Sequence, residues 1–295
     1  SNTIDNNDFS GTTNISLYIV NGSNQQNTIT NNDFKNSHYG IYYNHGTPAE
    51  ISGNDFTNTD NGVTINHADG FSLTSPSSTG PNSNTWGNHR DNVFQYNNSK
   101  NIVIDGWDFA PLFNSPTGKT GLTVGSMVTS TFSNNTFSGG FTHGMRLNGT
   151  NTSNIFNNNN FSGATSHALW FYNGGNQQNT ITNNDFKNSH QGIYYNYGTP
   201  AEISGNDFTN TKNGVTFINA DGFSFTSPSA TGPNSNTWGN HTDNVFQYHN
   251  SKNIVIDGWD FSSLFISPTG KTGLTLSSMV TSTFSNNTFS GGFTH

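Results

Sequence analysis

A short pattern of apolar and polar positions recurs along this chain. It reads apolar, any residue, Asn or Gly, any residue, polar, Phe, and the closing Phe residues follow one another at 22 to 28 residues except for one gap of 53. That gap holds a degenerate copy at 84–89. Alternation over so few residues predicts a short β-strand, and no stripe with a helical period competes with it. The regular copies run from Ile4 to Phe9, Ile29 to Phe34, Ile51 to Phe56, Ile104 to Phe109, Phe132 to Phe137 and Phe156 to Phe161.

A second alternating segment follows each copy of this pattern. Two apolar residues flank one residue that alternation turns outward, so each segment predicts a second strand with an inward pair. The predicted inward pairs are Tyr18/Val20, Ile41/Tyr43, Val63/Ile65, Phe94/Tyr96, Leu122/Val124 and Met145/Leu147. The predicted outward residues between them are Ile19, Tyr42, Thr64, Gln95, Thr123 and Arg146.

The third position of the short pattern holds only Asn or Gly. These two residues tolerate the left-handed backbone conformation best, so the chain is predicted to turn there with positive φ. The column reads Asn6, Asn31, Gly53, Asn88, Gly106 and Asn134, then Asn158, Asn183, Gly205, Asn240, Gly258 and Asn286.

A larger repeat of 152 residues contains the smaller one. Residues 1–143 align with 153–295 without a gap, and 116 of the 143 positions are identical. Divergence concentrates in the first twenty residues of each copy. We therefore predict two units, 1–152 and 153–295, in one continuous solenoid, the second unit being nine residues short. The sequence looks like a window from a longer tandem array.

Two short strands separated by a left-handed corner, repeated about every 25 residues, are typical of the coil of a parallel β-helix. Each unit is predicted to contain six coils, which gives about twelve in total. Neighbouring coils would lie about 4.8 Å apart, so that one unit advances by about 29 Å. Stacked Asn side chains are expected to hydrogen-bond from coil to coil, as amide ladders do in other stacked strands.

The segment 27–34, followed by 40–43, resembles the parallel β-helix repeat of pectin-lyase-like proteins. The resemblance implies an all-β, right-handed, single-stranded parallel β-helix. This superfamily includes polysaccharide lyases, epimerases, periplasmic copper-insertion proteins, phage tailspikes and microbial surface adhesins, so the resemblance specifies fold rather than activity. In style, the Asn-rich and nearly identical units are most similar to the adhesin-like proteins.

Composition narrows the function classes. The 295 residues include 51 Asn, no Cys, 9 Lys and Arg, and 17 Asp and Glu, for a net charge of −8. So few cations disfavour nucleic-acid binding, which needs clustered Lys and Arg. The longest apolar run, 168–172, is far shorter than a membrane span. Aromatic residues at 13% argue against disorder.

Acidic residues suggest one possible cation site. Asp8, Asp33, Asp55 and Asp108 share the outward position before the closing Phe. Stacked carboxylates repel unless water, a Lys or a cation lies between them. Either the column is an exposed acidic stripe, or Ca²⁺ bridges Asp33 and Asp55, or two of the carboxylates serve glycoside hydrolysis.

No complete catalytic constellation is visible, and no catalytic, cofactor-binding or metal-binding residue is assigned. A carbohydrate-active enzyme would need a cation and carboxylates beside the long insertion at 70–92, where Asp69, Asp91, Lys100 and Asp105 are the best candidates. Lys35, Lys100 and Lys119 are expected to be solvated. The recurring histidines His38, His89 and His143 are expected in turns or at edges, without metal-ligand spacing.

Aromatic residues that are predicted to be exposed suggest sugar binding as one possible function. Tyr42, Tyr194 and Phe171 are predicted to point outward, where they would stack on sugar rings or on a neighbouring fibre. Threonines 28, 30, 64 and 123 do not form one column, which disfavours an ice-binding face.

The sequence therefore favours a structural or adhesive protein that forms or decorates a fibre on a microbial surface, and not an enzyme. The alternative is a polysaccharide lyase, hydrolase or polysaccharide-binding module. An extracellular or cell-surface location is expected. The expected partners are further copies joined head to tail, because open coil edges need covering, together with surface glycans.

Overall fold

The computed structural model describes residues 1–20, 26–73, 75, 84–225 and 236–294. Residues 74 and 76–83 of the first long insertion, and 226–235 of the second, lie outside these ranges. The regular secondary structure of the described residues consists of β-strands and two short 3₁₀ segments, Ala110–Leu112 and Phe261–Leu264. No helix in the described ranges has the length and apolar character of a membrane span.

Strands of three residues alternate with strands of four to six. The short strands are β1 Thr3–Asp5, β3 Thr28–Thr30, β5 Glu50–Ser52, β8 Val103–Asp105, β10 Thr131–Ser133, β12 Ile155–Asn157, β14 Thr180–Thr182, β16 Glu202–Ser204, β19 Val255–Asp257 and β21 Thr283–Ser285. The long strands are β2 Ile15–Val20, β4 Tyr39–Asn44, β6 Asn61–Asn66, β7 Asn92–Asn97, β9 Thr120–Gly125, β11 His143–Asn148, β13 His167–Phe171, β15 Gln191–Asn196, β17 Asn213–Ile218, β18 Asn244–His249 and β20 Leu274–Ser277.

All strand pairings are parallel, and strands pair with their counterparts in neighbouring coils, except that the short strands are unpaired between β5 and β8 and between β16 and β19. The long strands form one sheet in the order β2-β4-β6-β7-β9-β11-β13-β15-β17-β18-β20. Six of its strands belong to residues 1–152 and five to 153–295. The parallel β-helix with six coils per unit is thus confirmed, and the described chain forms about eleven coils where about twelve were predicted.

The long sheet crosses from the first unit into the second without a break. Strand β11 pairs with β13 in the register Met145↔Leu169, just as it pairs with β9 in the register Met145↔Leu122. The junction between units therefore has the same pairing as a coil boundary inside a unit.

The core is a column of stacked rings lined on one side by aliphatic residues. Phe137, Phe161 and Phe186 stack at centroid distances of 4.9 and 5.3 Å with nearly parallel planes. Trp86 takes the place of a Phe in the degenerate copy and stacks on Phe56 at 4.7 Å. The inward Phe column predicted from the short pattern is confirmed.

One predicted inward pair was wrong. Tyr18 and Val20 are 55% and 42% exposed, and Leu17, not Tyr18, pairs with the inward Ile41. Ile19, predicted to point outward, pairs with the inward Tyr43, so the outward residue of this strand is Tyr18. The run Ile15–Val20 contains apolar residues at five of six positions, so alternation alone did not fix its register.

The left-handed corners are confirmed. All twelve predicted positions have positive φ, between 54° and 71°. Asn88 nevertheless belongs to a different corner, because its neighbour in the preceding coil is Asn58 and not Gly53. Gly53 is required by space as well as by φ, since a Cβ there would lie 2.5 Å from the Asn31 Oδ1 atom.

A buried amide ladder follows the ring column, as predicted. The Asn159 Nδ2 atom donates to Asn184 Oδ1 at 2.9 Å, and the Asn135 Nδ2 atom donates to Asn159 Oδ1 at 3.0 Å. The same side chains also satisfy backbone groups, because Asn159 Nδ2 donates to the Phe132 carbonyl at 2.9 Å. The ladder thus replaces water as the partner of buried corner backbone.

Candidate functional site

The acidic stripe is neutralised in part by lysine. Lys35 Nζ lies 2.9 Å from Asp33 Oδ2 and 3.8 Å from Asp55 Oδ2, and Lys187 repeats this arrangement in the second unit. The hydrogen bond that Lys35 donates to Asp33 and the charges of both carboxylates raise the pKa of Lys35. Lys35 therefore supplies the positive charge between Asp33 and Asp55 for which Ca²⁺ was considered.

The candidate enzyme residues do not converge. Asp69 pairs with Lys100 at 3.1 Å, whereas Asp91 pairs with Lys119 at 3.4 Å. Asp91 and Lys100 flank the six-residue strand β7, which separates them by about 20 Å. Asp105 accepts hydrogen bonds from two neutral side chains of the next coil. The structure brings together one pair of the four residues and not a catalytic set.

Two recurring histidines lie in the core, contrary to the expected turns or edges. His89 and His241 are 0% and 2% exposed. Their Nδ1 atoms lie 2.9 Å from the hydroxyl oxygens of Thr59 and Thr211. Burial lowers the pKa of both imidazoles to about 4. Their Nε2 atoms have no hydrogen-bond partner among the described residues.

A polar pocket of about 310 Å³ opens beside His89. On its floor Arg90 Nε contacts Asp60 Oδ1, and His38 Nδ1 lies 2.7 Å from Asp60 Oδ2. Lys212 takes the place of Asp60 in the second unit, so this network occurs in one unit alone. Its charges are paired with one another, which leaves little unbalanced charge for a ligand.

The outer face of the long sheet carries a column of outward side chains, one from each coil. Register places them in the order Tyr18, Tyr42, Thr64, Gln95, Thr123, Arg146, Trp170, Tyr194, Thr216, Gln247, Thr275. The outward positions of Tyr42 and Tyr194 are confirmed. Phe171, predicted to point outward, is fully buried, and its neighbour Trp170 holds the outward position.

Aromatic rings and one cation cluster where the two units meet. The Arg146 guanidinium carbon lies 5.0 Å from the ring centroid of Trp170 and 4.8 Å from that of Tyr172. The His167 ring stacks on Trp170 at 4.9 Å. We call this surface the junction patch; it comprises His143, Arg146, His167, Trp170, Tyr172 and Tyr194.

Several polar groups of the junction patch have no partner among the described residues. Arg146 forms no ion pair with any described carboxylate, and the Nε–H groups of Arg146 and Trp170 donate to no acceptor in the described part of the chain. Burial lowers the pKa of His143 and of His167 to about 4, so both imidazoles are neutral at pH 7. Arg146 therefore gives the patch a positive charge in a chain whose net charge is −8.

Sequence reasoning missed this patch because it placed the inward residues of β2 one position too late. Leu17 aligns with Ile41, and Leu169 is its equivalent at the 152-residue offset. Treating Leu169 as inward would have assigned Trp170 to the outward column. Cation–π contact between Arg146 and two rings on the next coil could not be found without that register.

A polar groove of about 430 Å³ runs along the sheet edge beside the outward column. Its amides form a partial ladder, in which Asn97 Nδ2 donates to Asn66 Oδ1 at 3.0 Å. Since each amide nitrogen carries two protons, each Asn of this ladder keeps an N–H for water or a ligand. Gly125 interrupts the ladder between Asn97 and Asn148. We call this surface the amide groove; it is lined in part by Tyr42, Asn44, Asn66, His67, Asn97 and Asn148.

Comparison with known proteins places the fold in a family. A family described as "Periplasmic copper-binding protein (NosD)" matches residues 40–237, about two thirds of the chain. The chain belongs to this family. A second family, described as "Right handed beta helix region", matches residues 1–75, in agreement with the right-handed coil implied by the sequence.

Other comparisons add little. No curated protein matches this chain. Among solved structures, a trypsin-treated form of QnrB1, a plasmid-mediated fluoroquinolone resistance protein, aligns at 9% identity over 94% of this chain and 92% of that chain, with a TM-score of 0.25. At that TM-score the alignment supports no conclusion.

The family description raises the question of copper. Copper sites in proteins draw on thiolate, thioether or imidazole ligands. This chain has no Cys, and Met127 and Met145 are fully buried in the core. No group of three or more His, Cys, Asp or Glu able to hold a metal occurs in the described part of the chain. The residues present do not fit a preformed copper site.

We expect the purified protein to retain far less than one copper ion per chain after incubation with Cu(I) or Cu(II) and exhaustive dialysis. The reason is the absence of a converging soft or imidazole ligand set among the described side chains. Metal content measured by mass spectrometry provides the test. Stoichiometric copper that survives dialysis, and that His143→Gln or His167→Gln removes, would contradict this expectation.

Proposed function

We propose that this chain is a structural segment of an extracytoplasmic fibre, in which tandem β-helix units provide length and repeated surfaces rather than catalysis. The observation that carries the proposal is the junction between units. Because β11 pairs with β13 as it does with β9, a further unit can be added without a new kind of contact.

Stacking between coils covers the ring column inside the array. Phe132 and Phe137 lie under the rings of Phe156 and Phe161 in the coil that follows them, and they are 0% and 1% exposed. Their equivalents in the second unit are Phe284 and Phe289. In the proposed fibre, a further copy covers these two rings and the strand edges beside them in the same way.

The periplasmic description of the family supports a location outside the cytoplasm. Copper binding is not carried over, because the donor set of this chain does not fit it. A catalytic role has no comparable support, since the four candidate residues do not converge on one site.

Electron microscopy of the purified chain tests this proposal. Head-to-tail assembly predicts filaments with an axial repeat of about 55 Å, the rise of one whole chain, and a pseudo-repeat of about 29 Å from its two similar units. Phe284→Asp should abolish filaments without unfolding the chain, because it replaces a ring on which the next copy would stack with a charged side chain. Val255→Asp is the matched control, since Val255 is 47% exposed but lies on the side of β19 and not at the open edge. Discrete rods of fixed length at every concentration would contradict the proposal.

A further inference from the structure

We infer that the junction patch and the amide groove together form a binding site for a saccharide chain that carries carboxylate groups. This site lies on the side of the solenoid. It therefore does not depend on whether the chain assembles end to end, and its test is separate from that of the fibre.

The junction patch supplies an aromatic platform and a fixed cation. Tyr172 is 37% exposed, and Trp170 and Tyr194 are partly exposed. The C–H groups on the flat side of a pyranose ring carry partial positive charge, which matches the negative face of an aromatic ring. Arg146 is held against two rings, so its guanidinium is ordered before a ligand arrives.

Arg146 determines the charge of the ligand. Its planar N–H groups match a carboxylate, which accepts two parallel hydrogen bonds from a guanidinium. Because no described carboxylate of this chain forms an ion pair with it, a ligand carboxylate would displace only water and would not have to break an existing ion pair.

The amide groove supplies hydrogen bonds in series. Its Asn side chains offer unused N–H groups on four of five successive coils, since Gly125 holds the equivalent position on β9. Neighbouring coils lie about 4.8 Å apart. Hydroxyl groups of a saccharide both donate and accept, so they match amide N–H and C=O groups. Asn148 lies two residues after Arg146 on strand β11 and joins the groove to the patch.

The combination favours a saccharide over an aromatic or peptide ligand. The groove is lined mainly by polar side chains. An apolar side chain of a peptide would find no apolar surface to pack against there. The net charge of −8 disfavours an anionic polymer as dense as nucleic acid, whereas a single Arg fits isolated carboxylates.

Isothermal titration calorimetry on the whole chain tests the inference with two matched probes, a β-1,4-linked glucuronic acid hexamer and cellohexaose. These hexamers differ in the carboxylate at C6, so their comparison isolates the contribution of Arg146. We expect the acidic hexamer to bind more tightly than cellohexaose by about tenfold, and Arg146→Gln to remove that difference.

Trp170→Ala should weaken binding of both hexamers by about tenfold or more, as truncation of an aromatic anchor does. Trp170→Phe keeps a stacking face and should recover most of the affinity. Gln247→Ala is the matched control, because Gln247 occupies the same outward column three coils away. Loss of chain association instead of hexamer binding in Trp170→Ala would assign the patch to a second copy and overturn the inference. Absence of binding to both hexamers, or equal affinities in all variants, would also overturn it.

Discussion

Asn159→Ala should lower the free energy of unfolding by about 4 kcal/mol, a large effect for a polar residue. The Asn159 side chain is fully hydrogen-bonded in the buried ladder, between Asn135 and Asn184. Truncation leaves the Phe132 carbonyl and the Asn135 amide groups without their partner in a site that water does not reach. Each unsatisfied buried group costs about 1–3 kcal/mol.

Asn158→Gly is the control, because Asn158 is the adjacent residue of the same type. It is exposed at a left-handed corner with φ 55°, a backbone conformation that Gly adopts without strain. Its substitution should change stability by no more than about 0.5 kcal/mol. Urea denaturation followed by circular dichroism measures both. Equal stability of the two variants would show that the ladder does not stabilise the fold.

Acidification should destabilise the protein well before its carboxylates titrate. His89 and His241 have a pKa of about 4 in the folded chain because burial penalises the charged imidazole, against an ordinary value of 6.5. The unfolded chain therefore binds protons first as the pH falls from about 6.5 to 4. Stability is constant above this window and decreases through it. At about 1.4 kcal/mol per pH unit, each buried histidine accounts for about 3 kcal/mol.

The double substitution His89→Gln, His241→Gln should remove about half of that loss or more, while the exposed His45→Gln should leave it unchanged. His143 and His167 act in the same direction but are less buried, so a smaller dependence should persist. Asp5 and Asp69 have a pKa below the usual 3.8, and their contribution is lost only at lower pH. Denaturation midpoints measured from pH 7.5 to 4 provide the test. The same pH dependence in the double variant would show that the buried imidazoles do not control acid stability.

The fold was predictable because each of its rules is local and repeats. An Asn or Gly at the corner, a Phe three residues later and alternation in the next strand recur often enough to fix the coil, and the structure has positive φ at each predicted corner. The buried ladder followed from the same stacking. Register failed at β2, where Ile15–Val20 is apolar at most positions and alternation loses its contrast, and at the equivalent strand β13, where Phe171 is buried.

The candidate site was less predictable because it depends on contacts between coils. Arg146 and Trp170 are 24 residues apart in sequence, and their proximity appears only when β11 is placed against β13. Likewise, the burial of the His89 imidazole depends on its contact with Trp86 and on the pairing of His89 with Phe113 in the following coil. Sequence spacing indicates which residues share a column but not which neighbouring columns touch.

The uniform step between stacked coils has a consequence for folding kinetics. Hydrogen-bonded partners in adjacent coils are 20 to 33 residues apart wherever they lie in the described chain. Their separation does not grow with the number of units, so relative contact order falls as the array lengthens, and folding can nucleate in any coil and propagate to its neighbours. The hazard is misregistration by one whole unit, because 116 of 143 positions are the same. The divergent start of each unit, Ile15 and Tyr18 against His167 and Trp170, is where a nascent coil can discriminate its correct neighbour from the equivalent coil 152 residues away.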